Sequence, residues 1–452
     1  MNAKSRRLLS GSAWILRGAS ADPREYAAGD QTGLLDMSRR LNPGALIKAA
    51  HFGVGAGAAI LLSTAVPLAF AQNSDNRQAS VQQSLNAAEA AVTLAEAAAG
   101  RHDTRGLALA VKSWSLLADN DKVRTARLWS AVAGAAFARD DFRAAAEAAL
   151  LWQQALPAGG AAAAVNLHSI ARLLAFAPPQ QVERYEPVGI SLRKDLVGLP
   201  RATFDLNGKR AEAVLDTGAN LSTASAAAAS KYGLRYMDGD ASVGSATKAA
   251  VAARLAIADR LDIAGITLSN VVFLVLPDEQ LKLPVPDYRL DLIIGFPVFR
   301  AMERVTFSQP GSLIPSRSVA GLEPRNLRYE GSTIFIEAEV ASKPVWMHLD
   351  TGARMTSLPA DFANRNEMMV RGLARRTVRF GGAGGVVEQE IAILPNAEVR
   401  IDEHSVSVPE ITVLLSSDAQ SSISNRAQLG QDVIGQYQAF TIDFLAGRFD
   451  VQ

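Results

Sequence analysis

Two carboxylates mark where this chain could do chemistry. Asp216-Thr217-Gly218-Ala219 follows the apolar run in AEAVLDTGANLST (211–223), and Asp350-Thr351-Gly352-Ala353 follows the one in PVWMHLDTGARMT (344–356). The aspartates are 350 − 216 = 134 positions apart. A strand that ends in Asp-Thr-Gly delivers a carboxylate into a dry cleft, and its glycine lets the chain turn away tightly. One carboxylate alone is a base, whereas water attack on an amide also needs an acid. Two carboxylates sharing one proton supply both, because like charges at such short range do not both ionise.

A lone Asp-Thr-Gly after a strand is more often an ordinary turn, but here both copies are followed by matching marks. Asp291-Leu-Ile-Ile-Gly295 precedes Phe296-Pro-Val-Phe299, and Asp432-Val-Ile-Gly435 precedes Gln436-Tyr-Gln-Ala-Phe440. The aspartate-to-glycine offsets are 295 − 216 = 79 and 435 − 350 = 85. Between these marks lie two glycine-bearing tips, Ser242-Val243-Gly244-Ser245 and Gly381-Gly382-Ala383-Gly384-Gly385. Glycine at a hairpin tip supplies positive φ and mobility.

On these residues the chain resembles the aspartic peptidases, and more narrowly the retropepsin group, in which Asp-Thr-Gly is usually followed by Ala. The resemblance implies a multidomain chain whose all-β, bilobal aspartic-protease part holds two retropepsin-like lobes in tandem. It implies catalytic roles for Asp216 and Asp350 around an attacking water. Thr217 and Thr351 would bond across the two loops, Gly218 and Gly352 would bring backbone amides to the carboxylates, and Gly295 and Gly435 would close the buttressing loops. Val243, Gly244, Gly382, Ala383 and Gly384 would belong to flaps over a bound peptide. No metal or organic cofactor is required. Two departures stand out: no flap tyrosine is evident near Ser242–Ala250, and Arg354 follows the second motif where Asn220 follows the first.

The elements that must position these groups follow from the chain's texture. At 452 residues there is room for two to four domains, and 48% hydrophobic residues with a net charge of +1 describe a globular chain without a nucleic-acid footprint. Cysteine is absent, which excludes disulfides and thiol chemistry. Residues 1–71 read as an N-terminal extension and a secretory signal. Arg39, Arg40 and Lys48 precede the apolar stretch Val54–Pro67, Ala69-Phe70-Ala71 precedes the expected cut, and Met37 is an alternative start. That places the remainder in the periplasm or outside the cell. An uncleaved membrane anchor is the alternative, and the only route to a membrane partner.

Residues 72–180 are alanine-rich and helical, with breaks near Gly100, Asp119–Asp121, Asp140-Asp141 and Pro157–Gly160. Trp129, Ala133, Phe142, Ala145 and Pro157 sit at tetratricopeptide-like spacing, so this region reads as a surface for a protein partner, a spacer or a prodomain. Strand texture then defines lobe 1 (188–309) and lobe 2 (331–452), with 310–330 as the link. The five histidines are dispersed without metal spacing. His348, two residues before Asp350, reads as a core or interface histidine more readily than a pH sensor. The function expected is hydrolysis of a peptide or protein substrate. The alternative is a non-catalytic module that keeps the fold and binds peptide, with the helices recruiting a partner.

Overall fold

The computed structural model describes residues 66–117, 121–157, 160–243, 251–282, 288–319, 321, 326–382, 385–416 and 426–452, with backbone alone at 66–81, 240–243, 251, 380–382 and 385–387. The apolar core of the expected signal lies outside these residues up to position 65, as does Met37. Among the described residues no helix is long and apolar enough to cross a membrane.

Among the described residues five helices come first: α1 (Val66–Ala99), α2 (Thr104–Ser115), α3 (Lys122–Ala138), α4 (Phe142–Ala155) and α5 (Ala162–Leu174). Asp103, Asp121 and Asp141 start α2, α3 and α4, each accepting from first-turn amides that have no partner inside the helix. Ala95, Ala110, Ala133 and Ala149 are fully buried, so alanine at the contact faces lets the helices pack closely.

The β part has two sheets of similar plan and a third that joins them. Lobe 1 is a nine-stranded sheet built around Lys209–Leu215, and lobe 2 an eight-stranded sheet around Lys343–Leu349. The joining sheet takes Ile190–Ser191, Ser312–Ser316 and Arg304–Ser308 from the first half and Ala439–Asp443 and Arg448–Val451 from the second. Its centre is the antiparallel pair Thr306 and Thr441, whose hydroxyls lie 2.8 Å apart. The stretch 310–330, expected as a link, therefore supplies the strand Ser312–Ser316 to this sheet. Its three prolines concealed that strand, although Pro315 pairs in register with Val305 at the sheet's centre. One apolar core runs through both lobes and holds Phe273, Phe296, Phe299 and Phe449 fully buried. Each such side chain contributes about 1.5–3 kcal/mol.

The helices dock on this body through a histidine. His102 stacks on Tyr329 at 3.9 Å between centroids, meets the edge of Phe296, and its Nε2 lies 3.1 Å from Gly331 O. Gly100 O accepts from Tyr329 N, and Arg300 pairs with Asp140 at 3.3 Å. Burial drives the His102 pKa down to about 3, with the charges of Arg300 and Arg139 adding to the effect. The docked ring is therefore neutral, and the stability it contributes is complete above its ordinary value of 6.5 and declines as pH falls toward 3. Each pH unit in that window removes up to about 1.4 kcal/mol. Hydrogen-exchange protection factors of α1 and α2 should fall between pH 6 and 4, and His102→Gln should flatten that dependence.

Candidate active site

In each lobe a hydrophobic strand runs straight into its motif. Lys209–Leu215 is paired in parallel with Leu292–Ile294, and Asp216 N donates to Ile294 O at 3.0 Å. In lobe 2, Lys343–Leu349 pairs in parallel with Ala427–Leu429, and Asp350 N donates to Leu429 O at 3.1 Å. Each aspartate thus leaves its strand at a fixed point on a fully buried scaffold, with Leu215, Ile294, Leu349 and Leu429 all at 0% exposure.

Two threonines bind the motifs together. Thr217 Oγ1 donates to Leu349 O at 2.8 Å and accepts from Thr351 N at 3.1 Å. Thr351 Oγ1 donates to Leu215 O at 2.7 Å and accepts from Thr217 N at 3.0 Å. These four bonds are buried and reciprocal between the two motifs. They bring the two motifs so close that each aspartate's carboxyl fills the space beside the other motif's glycine.

Gly218 N and Gly352 N each donate to their own aspartate's Oδ1 at 2.8 Å. Both glycines are obligatory for a second reason. A Cβ on Gly218 would come within 2.6 Å of Asp350, and one on Gly352 within 2.4 Å of Asp216. Burial, then the neighbouring charge of Asp350, then the bond between the two carboxyls raise the Asp216 pKa well above the carboxylate range. A pair held this way keeps one proton and one negative charge, the state required to take a proton from water while giving one to a carbonyl.

The buttress of lobe 2 is Gly430 rather than Gly435. Gly295 ends its strand at φ −111°, ψ −172°, and Gly430 ends the corresponding strand at φ −106°, ψ −176°. Phe296 N bonds Ala219 O at 2.8 Å, as Gln431 N bonds Ala353 O at 2.9 Å. Gly295 N donates to Ser222 Oγ, and Gly430 N to Thr356 Oγ1, both at 3.1 Å. Gly435 instead caps the short helix Gln431–Ile434 in helical conformation. The offset from aspartate is then 430 − 350 = 80, against 79 in lobe 1. Gln428 had hidden it, since Ala427-Gln428-Leu429-Gly430 lacks the apolar pair of Ile293-Ile294-Gly295. A methyl group on Gly430 would stand 2.7 Å from the Met355 carbonyl carbon. Gly430→Ala should therefore cost about 1–3 kcal/mol in a denaturation midpoint and misplace Asp350.

Gln428 was not foreseen, and it touches the chemistry directly: its Nε2 donates to Asp350 Oδ2. Of the expected flap residues, Val243 ends the strand Arg235–Val243, and Gly382 ends Arg375–Gly382 opposite Gly385. Gly244, Ala383 and Gly384 lie outside the described residues. Arg354 is exposed, and Asn220 Oδ1 accepts from Thr333 Oγ1 at 3.4 Å. Among the described residues no group of three His, Cys, Asp or Glu is placed to hold a metal ion.

The helical region reaches this site. α5 packs on the strand Arg235–Val243, and Leu173 lies so close that a Cβ on Gly239 would be 2.8 Å from its Cδ2. Leu174 and Ala171 share a cluster with Leu221, Leu255 and Val272, while Ile170 packs on the cluster of Val214 and Ile293, with Ala219 beside it.

No curated protein matches the chain. Among solved structures, a retropepsin-like aspartic protease from Rickettsia conorii is similar at 17% identity over 31% of this chain and 84% of that one, with a TM-score of 0.20. The family model described as aspartyl protease matches residues 202–298 and again residues 336–433. Each match spans one Asp-Thr-Gly motif and its buttressing strand, so the similarity to that family recurs in tandem, once in each lobe.

Proposed function

We propose that the chain is an aspartic endopeptidase in which Asp216 and Asp350 share one catalytic water. The observation that carries this reading is the four-bond threonine lock, which brings the two motifs together so that each carboxyl lies against the other motif's glycine. The ionised partner takes a proton from the water as its oxygen attacks the peptide carbonyl carbon, and the protonated partner donates to the carbonyl oxygen. The diol intermediate collapses as a proton passes to the amine, the C–N bond breaks, and the dyad again holds one proton. A site that needs one shared proton loses activity once pH rises through the elevated pKa of Asp216, so cleavage should peak below neutrality. Cleavage of a mixed peptide library across pH 3–8, with blockade by a statine-type peptide, tests this. A flat absence of products over that range contradicts it. The expected signal peptide puts this activity outside the cytoplasm.

The contacts of α5 support a second statement: the helices mask the cleft until they are moved. Leu173→Asp places a charge against the flap-bearing strand and should loosen α5. The expected result is at least a tenfold rise in peptide cleavage, together with a lower melting temperature for the helical region. Equal rates for the variant and the intact chain contradict masking.

A further inference from the structure

The two lobes present different chemistry beside their aspartates. In lobe 1, Val214 pairs with Ile293, Ile293 with Thr223, and Thr223 with Leu274. In lobe 2 the corresponding pairs are His348 with Gln428, Gln428 with Ser357, and Ser357 with Thr412. Paired residues on adjacent strands share one face of a sheet, and residues i and i+2 on one strand do too. Leu349, Leu429 and Leu358 face the main core, so the row His348, Gln428, Ser357, Thr412 faces the other way. That is the side of Asp350, which Gln428 contacts.

In lobe 1 this face is an apolar cluster in which Val214 and Ile293 join Leu199, Ala253 and Leu276. In lobe 2 it is polar, and two of its atoms, His348 Nε2 and Ser357 Oγ, are buried without a hydrogen-bond partner among the described residues. Leaving such groups unsatisfied costs about 1–3 kcal/mol each, and a native fold keeps that cost where something else satisfies them. We propose that this row is a binding site for an uncharged, hydrogen-bonding side chain of the substrate, a carboxamide, on the lobe 2 side of the dyad.

A carboxamide offers both a donor and an acceptor, which matches a hydroxyl and a neutral imidazole. His348 lies against Phe335, 5.9 Å between centroids, and its burial favours the neutral ring. The charged groups around the row are Asp350 and Asp216 of the dyad and the pair Arg426 and Glu330, 3.2 Å apart. The negative charge of the dyad disfavours a carboxylate in the same place. The site is one-sided: in the matching row of lobe 1, Val214, Ile293 and Leu274 are aliphatic and Thr223 already donates to Leu221 O, so only one side of the scissile bond is read for polarity.

This inference rests on the peptidase reading only for the location of the cleft, and binding can be measured without turnover. The probes are non-cleavable statine-centred peptides carrying leucine or its near-isostere asparagine, placed on either side of the statine and titrated by calorimetry against the full chain carrying Leu173→Asp, which loosens α5 from the cleft. The expected result is an asparagine preference of at least tenfold on one side only. His348→Val/Ser357→Ala, with Gln428 intact, should abolish that preference. The same variant should melt no lower than its parent chain, because it removes two unpartnered buried polar groups, so a loss of preference cannot be ascribed to misfolding. Leucine preferred on both sides, a preference unchanged in the variant, or no binding of any probe overturns the proposal. Probes that bind with the asparagine preference, alongside natural peptides left uncut, sink the peptidase reading alone.

Discussion

Asp216→Asn should reduce peptide cleavage at least 1,000-fold and at the same time make the protein more stable at neutral pH. The loss follows from the mechanism, since an amide neither accepts the water's proton nor passes one on, and general acid–base catalysis together with the charge it handles supplies factors of about 10²–10⁴ per group. The gain in stability follows from linkage. The folded pKa of Asp216 is raised, so its contribution to stability is complete below the unfolded carboxylate value and is lost as pH rises through the folded one. Between those two values the unfolded chain sheds a proton that the folded chain holds, and asparagine removes the penalty that has built up by pH 7. Denaturant midpoints of wild type and variant should therefore separate at pH 7 and converge toward pH 3. A variant less stable than wild type at pH 7 would show that the carboxyls are held apart.

The second large effect is expected at the threonines. Thr217→Val keeps the shape but removes a donor to Leu349 O and an acceptor for Thr351 N. Two buried backbone groups lose their partners, at about 1–3 kcal/mol each. Thr351→Val should cost the same, because its bonds to Leu215 O and Thr217 N are the mirror set. The double variant should cost clearly less than the sum, since the bonds are shared across one junction. Cleavage should fall at least 100-fold in each single variant through displacement of the dyad. Additive costs in the double variant would mean that the two loops are held independently.

The bilobal fold and the dyad were legible in the sequence because they rest on short local patterns. An apolar strand followed by Asp-Thr-Gly needs no distant partner to be read, and neither do the helix breaks near Gly100, Asp119–Asp121 and Asp140-Asp141. What could not be read depended on pairing between remote strands. The glycine of the second buttress is set by the parallel register of Ala427–Leu429 on Lys343–Leu349, and Gln428 broke the apolar signature that marked the first. The strand Ser312–Ser316 was concealed for a similar reason: Pro315 within it and Pro310 before it argued against a strand, and only the joining sheet shows where it is used. Gln428 and Ser357 drew no notice as polar residues in strands, whereas His348 did, for its closeness to Asp350. Their common face appears only once four strands are laid side by side.

The most direct test of the central claim, one dyad made within one chain, is peptide cleavage at pH 4–5 by Asp216→Asn, by Asp350→Asn and by an equimolar mixture of the two, beside wild type. The account predicts cleavage by wild type alone, because each mixed chain still carries one broken half-site. Activity restored in the mixture would place the dyad between chains, and activity kept by either single variant would place the chemistry elsewhere.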